Sequence, residues 1–251
     1  MLIQPLMDKL DHLRLYGLRA ALADQLFSAQ YADLSFEDRL GLLVDAEWTA
    51  RTNANFKRRL KAAQLHQEAS IEDLDMATAR GLDRAQMLSL AAGDWISRSL
   101  GVIVLGPTGS GKTFVACALG HAACRLDHTV RYERLGRLLF AVSLAHADGT
   151  YARLLDQLRR VDLLILDDFL RDPLSAAQTR DLADILDDRY GRRATLVATQ
   201  MPVEDWHARL ADPTLADAIL DRLVHNAYRL QLKGDSQRKA RSSLAMSITS
   251  R

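Results

Sequence analysis

From residue 102 onward the chain alternates short apolar runs with helix-permissive ones, and the first junction carries Gly-Pro-Thr-Gly-Ser-Gly-Lys-Thr, Gly106 to Thr113. That junction restricts the fold to a small set. Val102 to Leu105 is a buried-strand run and Phe114 to Arg125 is apolar and helix-permissive, so G-x-x-x-x-G-K-[ST] sits in the context of a phosphate-binding loop. In such a loop backbone N–H groups wrap the phosphates, the lysine reaches the outer ones and the hydroxyl holds magnesium. Gly106, Pro107, Thr108, Gly109, Ser110, Gly111, Lys112 and Thr113 are therefore candidate ATP contacts, with the phosphates on a helix N-terminus. Thr113 is also a candidate Mg2+ ligand. The alternative, a plain glycine-rich turn, has no use for the motif that follows.

Leu163 to Asp168 reads Leu-Leu-Ile-Leu-Asp-Asp, an apolar strand ending on paired carboxylates. In ATPases of this kind the first acid holds magnesium through water and a second orients the attacking water. Asp167 takes the first role and Asp168 the second, against the alternative that Asp168 is only a solvated strand-end carboxylate. Thr129–Tyr132, Ala194–Thr199 and Tyr228–Leu232 supply further strands. Helical stretches at Leu135–Ala145, Tyr151–Leu158, Ala176–Tyr190, Val203–Leu210 and Thr214–His225 connect them. Five strands joined by helices predict an α/β fold whose parallel sheet is covered on both faces. Gln200 follows one of these strands. If that strand neighbours the carboxylate strand, the amide can hydrogen-bond the γ-phosphate or the water; capping the next turn is an equal alternative. Arg222, late in the helix before the last strand, is a candidate for the arginine that ring-forming ATPases insert into a neighbouring subunit's phosphates. Spacing alone favours a surface arginine paired with an acid such as Asp217 or Asp221.

Residues 1 to 68 read as a small all-α N-terminal domain, and 69 to 251 as the ATPase domain with a helical connector. Leu10, Leu13, Leu18 and Leu22 form one stripe; Ser35 and Asp38 cap a long second helix carrying Leu40, Leu43, Val44 and Trp48. Ser70 to Ile96 is the connector, broken at Gly81 and capped anew at Asp83. At 48% hydrophobic and 26% charged the chain has enough apolar residues for a core, and no run approaches the length needed to span a bilayer, which predicts an intracellular protein. Cys117 and Cys124 lie on one helical face without metal or redox spacing, and the seven His form no paired motif. Net charge is +1, but Trp48 to Gln67 carries Arg51, Lys57, Arg58, Arg59 and Lys61 with no acid, a local +5. Residues 229 to 251 carry another +5. Such a run by itself favours a solvated helix face over nucleic-acid phosphates.

The motifs at Gly106–Thr113, Leu163–Asp168, Ala198–Pro202 and Asp221-Arg222-Leu223 resemble those of AAA+ ATPases of the initiator and helicase-loader clade. More narrowly, Leu34–Leu40, Glu47-Trp48-Thr49-Ala50-Arg51, Arg80–Asp83, Gly93–Ile96 and Pro202–His207 resemble the IstB family of transposition helper ATPases over nearly the whole chain. The resemblance implies ATP and Mg2+ as cofactors, a bacterial cytoplasmic setting, a ring or helical homo-oligomer on duplex DNA, and delivery of that DNA to a stimulated transposase. It assigns Arg51, Lys57, Arg58, Arg59 and Lys61 to DNA, Arg222 to the trans site and Gln200 to sensing. Two departures from the wider pattern stand out: Asp168 replaces the usual Glu, and about 19 residues after the last strand leave no room for a C-terminal helical lid. Adenine contacts are then expected from Asp94–Ser97 or a neighbour, and Arg238 is an optional second phosphate-facing arginine. A replicative helicase loader of the same clade, a small-molecule kinase and a non-hydrolysing ATP-locked DNA scaffold are the competing readings. Glu47–Arg51 argues against the first, the absence of acceptor and lid segments against the second, and Asp168 with Arg222 against the third.

Overall fold

Ser35 opens the longest helix by accepting a hydrogen bond from Asp38 N at 3.1 Å, the local geometry its spacing to Asp38 predicts. The computed structural model describes residues 3–76 and 81–234. These form two compact units, Met1–Arg58 and Arg59–Arg251.

In the first unit α1 (Gln4–His12) packs on α2 (Tyr16–Phe27), and α2 meets α3 (Phe36–Ala63), a helix that continues past Arg58. The expected single stripe from Leu10 to Leu22 is interrupted: Arg14 turns left-handed at φ 58° and leaves Leu13 exposed. α2 and α3 meet at Gly17, where an added Cβ would lie 2.6 Å from Ala46 O and 2.7 Å from Ala50 Cβ. Beside it Glu47 accepts from Leu18 N at 3.1 Å and from Arg51 Nε at 2.6 Å. These two donors, Arg51 first, hold the Glu47 carboxyl below the usual carboxylate range. The Glu47–Arg51 block thus fastens the start of α2. Leu43 is buried, whereas Leu40, Val44 and Trp48, read as its companions, are exposed.

The second unit holds α4 (Arg84–Ala91), α5 (Asp94–Ser97), β1 (Gly101–Leu105), α6 (Lys112–Arg125), β2 (Val130–Arg134), α7 (Leu135–Asp148), α8 (Tyr151–Arg160), β3 (Leu163–Asp167), α9 (Ala176–Arg189), β4 (Ala194–Thr199), α10 (Pro213–Val224) and β5 (Ala227–Gln231). The strands form one parallel sheet in the order β2-β3-β4-β1-β5. Side chains alternate across it. Leu164 and Leu166 join a buried cluster with residues of α7 to α10. Ile165 faces the other way, where α6 approaches so closely that a Cβ on Gly120 would meet Ile165 Cδ1 at 2.8 Å. The α/β architecture with both faces covered is as expected.

Two stretches differ from their sequence reading. Ser70 to Met76 is not helical, because Ser70 accepts from Asp73 N at 3.3 Å and turns the chain. Asp83 still caps α4, accepting from Ala85 N. Val203 to Leu210 is two 3-10 turns, Val203–Asp205 and His207–Arg209, rather than one helix. Between them Trp206 is fully buried, donating to Met201 O at 3.0 Å and packing its ring 4.9 Å from that of Phe169.

Arg189 is only 1% exposed and has no carboxylate partner among the described residues. Its guanidinium donates to the carbonyls of Leu158, Val161 and Ala194 and to Thr195 Oγ1, tying α8, α9 and β4 together. Replacing it by Met orphans three carbonyls, each costing about 1–3 kcal/mol when buried. We expect Arg189→Met to lower the Tm by about 6 °C or more at about 2–4 °C per kcal/mol, read by circular dichroism. A shift under about 2 °C would contradict this bracing role.

Candidate functional site

The sheet order brings together the carboxy ends of β1, β4 and β3, because β4 pairs with both of the others. The phosphate loop leaves β1, Gln200 follows β4, and Asp167 ends β3. Three motifs far apart in sequence therefore open onto one cleft of about 570 Å3, lined by Thr108–Val115, Asp167, Asp168, Thr199 and Gln200. In open parallel sheets such carboxy-end crevices take ligands.

Within the loop Gly109 and Gly111 adopt φ 85° and 101°, values that disfavour any side chain. Gly111 leads straight into Lys112, the first residue of α6, so the free N–H groups of that helix face the cleft. Lys112 Nζ donates to Pro107 O at 2.9 Å. The buried Ser110 Oγ has no hydrogen-bond partner, an orphan polar atom inside the loop. A bound phosphate supplies the acceptor that this hydroxyl and the helix N-terminus lack, so the residues present fit ATP.

Thr113 Oγ1 donates to Asp167 Oδ2 at 2.7 Å. Asp167 is 2% exposed, and its Oδ1 accepts from Asp168 N at 2.9 Å. A hydroxyl against a buried carboxylate at the mouth of a phosphate loop is the hard-oxygen donor set that suits Mg2+. Among the described residues no group of three or more His, Cys, Asp or Glu is placed to hold a metal alone. A cation here would share its coordination sphere with phosphate and water.

Asp168 leaves the strand at φ 52°, and its side chain stays 41% exposed. It lies 3.6 Å from Arg171 and 4.0 Å from Arg134 Nε. Arg134 ends β2 and in turn meets His66 Nε2 at 2.8 Å. Gln200 accepts from the Thr108 hydroxyl, so the amide touches the phosphate loop itself. Arg134, Arg171, His66 and Tyr132, whose hydroxyl donates to Asp167 Oδ2 at 2.6 Å, escaped the sequence reading. The available signal was the alternation Val130, Tyr132, Arg134, which puts a phenol and a cation on one face of a strand.

The expected adenine contacts at Asp94–Ser97 are not part of the cleft. Trp95 and Ile96 are buried in the core, and Trp95 Nε1 donates to Leu90 O at 2.8 Å. Instead the wall is completed by His66, Leu74, Asp75 and Leu82, from the stretch before β1, and by Leu232.

Arg222 stands elsewhere. Its guanidinium donates to Asp187 and, at 3.0 Å, to Ala218 O, not to Asp217 or Asp221. It borders a small cavity with Arg98, Gly101, Arg193 and Thr195, which places it at the amino ends of β1 and β4, away from its own chain's cleft. Of the basic run, Arg51 is paired with Glu47 while Lys57, Arg58 and Lys61 are exposed. Arg59 is withdrawn: it donates to Cys124 O at 3.1 Å and pairs with Asp127, leaving 14% of its side chain exposed. Arg238 and the tail beyond Gly234 lie outside the described residues, as does Arg80. Among the described residues no helix is long and apolar enough to cross a membrane.

The family model of the IstB-like ATP binding protein matches residues 8–245. The insertion sequence ATP-binding protein y4pL of Sinorhizobium fredii is 46% identical over 95% of this chain and 98% of its own. A second protein of that organism, y4uH, is 44% identical over 96% and 97%. The AMPPCP-bound DnaA of Aquifex aeolicus superposes with a TM-score of 0.58 at 17% identity, over 73% of this chain and 56% of its own, a likeness of fold. With its phosphate loop, its Thr113–Asp167 pair and its β2-β3-β4-β1-β5 sheet, the chain belongs to the IstB-like ATP binding protein family.

Proposed function

We propose that the protein is a Mg2+-dependent ATPase that assembles on duplex DNA and presents that DNA to a transposase. The observation that carries hydrolysis is the division of labour at the end of β3, where Asp167 is sealed against Thr113 while Asp168 faces the cleft. On ATP entry Lys112 exchanges Pro107 O for phosphate oxygens, and the N-terminal amides of α6 take the remaining negative charge. Thr113 and, through water, Asp167 would hold Mg2+, which when bound would supply positive charge against the phosphates. Asp168 orients the attacking water and accepts its proton, while Gln200 senses the γ-phosphate from the neighbouring strand end. Arg134 and Arg171 hold Asp168 in the meantime, and DNA-driven assembly releases it.

The names of the insertion sequence relatives support a role in transposition, and the exposed cations of α3 support DNA as ligand. At about 100° per helical residue Arg51, Arg58, Lys61 and Lys57 fall within an arc of about 120°, and Arg59 lies outside it. Such an arc can follow one phosphate backbone. ATPase rate with and without duplex DNA tests the whole reading, since stimulation without a helicase is expected of this function alone. We expect Lys57, Arg58 and Lys61 changed together to Ala to abolish that stimulation while basal nucleotide affinity stays at the wild-type value. At about 0.9 per neutralised phosphate, the slope of log affinity against log salt should flatten by up to about 2.7. Sequence preference should not change, because backbone contacts position without specifying. Unaltered affinity and slope would remove α3 from the DNA interface.

A further inference from the structure

We propose that Tyr132 is a positioning residue for the Mg2+ carboxylate, holding Asp167 in the one rotamer that faces the cation. This rests on the reading of Asp167 as the magnesium acid. Register explains how the phenol gets there: Tyr132 pairs with Ile165 in the β2–β3 ladder, and its side chain reaches along the sheet to the carboxylate two residues on. Asp167 then has three donors, with Thr113 Oγ1 and Tyr132 OH on Oδ2 and Asp168 N on Oδ1. Of the three, only the phenol belongs neither to the phosphate loop nor to the second acid. Thr113 belongs to the cation and the phosphate loop, and Asp168 N belongs to a residue whose own side chain must respond to the nucleotide.

The ring is itself held. Tyr132 is 7% exposed, and the His66 imidazole lies nearly parallel to it, 6.0 Å between centroids. A phenylalanine would fill the same space without a hydrogen bond, so packing does not account for the hydroxyl. A buried carboxylate with one fewer donor is freer to rotate and weaker as a ligand to metal-bound water. Loss of an outer-shell partner of this kind costs about 10- to 100-fold in metal affinity.

The test is Mg2+ titration of fluorescent ADP binding, on the full chain and without turnover. In Tyr132→Phe we expect the Mg2+ midpoint to rise about 10-fold. ADP affinity in EDTA should match wild type, while the Tm of the nucleotide-free protein reports separately the loss of a hydrogen bond to a buried carboxylate. An unchanged midpoint overturns the proposal, whether or not the Tm falls, because a purely structural phenol would move stability alone. Asp167→Asn in the same titration separates the two layers of inference. If it leaves the Mg2+ midpoint in place, the assignment of Asp167 fails. If it raises the midpoint and Tyr132→Phe does not, only the role of Tyr132 fails.

Discussion

Lys112→Ala and Asp168→Asn are expected to fail at different steps, the first at binding and the second at turnover. Lys112 supplies a charged donor to phosphate, and hydrogen bonds to charged groups contribute about 1.5–3 kcal/mol, so ATP affinity should fall about 10- to 150-fold. Part of that loss is softened in the wild-type reference, because Lys112 must first leave Pro107 O, 2.9 Å away. Asp168 is ion-paired with Arg134 and Arg171. Exchange of its carboxylate for an amide keeps the shape and removes the proton acceptor. Turnover should drop about 10²- to 10⁴-fold, the usual worth of a general base, with ATP affinity near wild type. The Asp168→Asn assembly should therefore persist on DNA with ATP bound. Equilibrium binding of a fluorescent ATP analogue, alongside single-turnover hydrolysis, measures both. Equal losses of affinity in the two variants would show that the acid contributes to nucleotide binding rather than to the water.

Residues 106 to 113 could be read directly because a phosphate cradle needs its residues contiguous: the wrapping amides, Lys112 and Thr113 all belong to one turn. The strands were legible for a similar reason, since burial on both faces forces unbroken apolar runs such as Leu163–Leu166. Tyr132, His66 and Arg134 were not, because they reach the site through strand order and the path of the stretch before β1, neither of which leaves a local pattern. Periodicity also misled within α3. Leu40, Val44 and Trp48 recur at helical spacing, yet close packing at Gly17 turned Leu43 and Glu47 inward instead. Charge counting overlooked partners in the same way: Arg51 and Arg59 read as free cations, and each meets a carboxylate. The helical reading of Val203–Leu210 failed to a single side chain, Trp206, whose burial against Phe169 outweighs helix propensity over so short a stretch.

Arg222→Ala is expected to leave nucleotide affinity of the isolated subunit unchanged and to remove turnover of the assembly, by about 10³-fold or more. Arg222 borders the amino ends of β1 and β4, whereas its own chain's loop and acids sit at the carboxy ends, about 16 Å away along a five-residue strand. A guanidinium there can act only on phosphates brought by another copy, through a head-to-tail contact that carries one subunit's amino-end face to the next one's cleft. Within the subunit its guanidinium pairs with Asp187, which on this proposal would give it up to the neighbour's phosphates. Asp187→Asn should thus retain turnover, and a loss equal to that of Arg222→Ala would reveal a merely structural ion pair. Mixing gives the decisive measurement. An Arg222→Ala subunit keeps an intact cleft and an Asp168→Asn subunit keeps an intact arginine, so about one head-to-tail junction in four of an equal random mixture is complete. Activity should reappear when two inactive proteins are combined on DNA. With co-assembly verified by co-elution, a mixture as inactive as its components would rule out Arg222 as the residue acting across the subunit boundary.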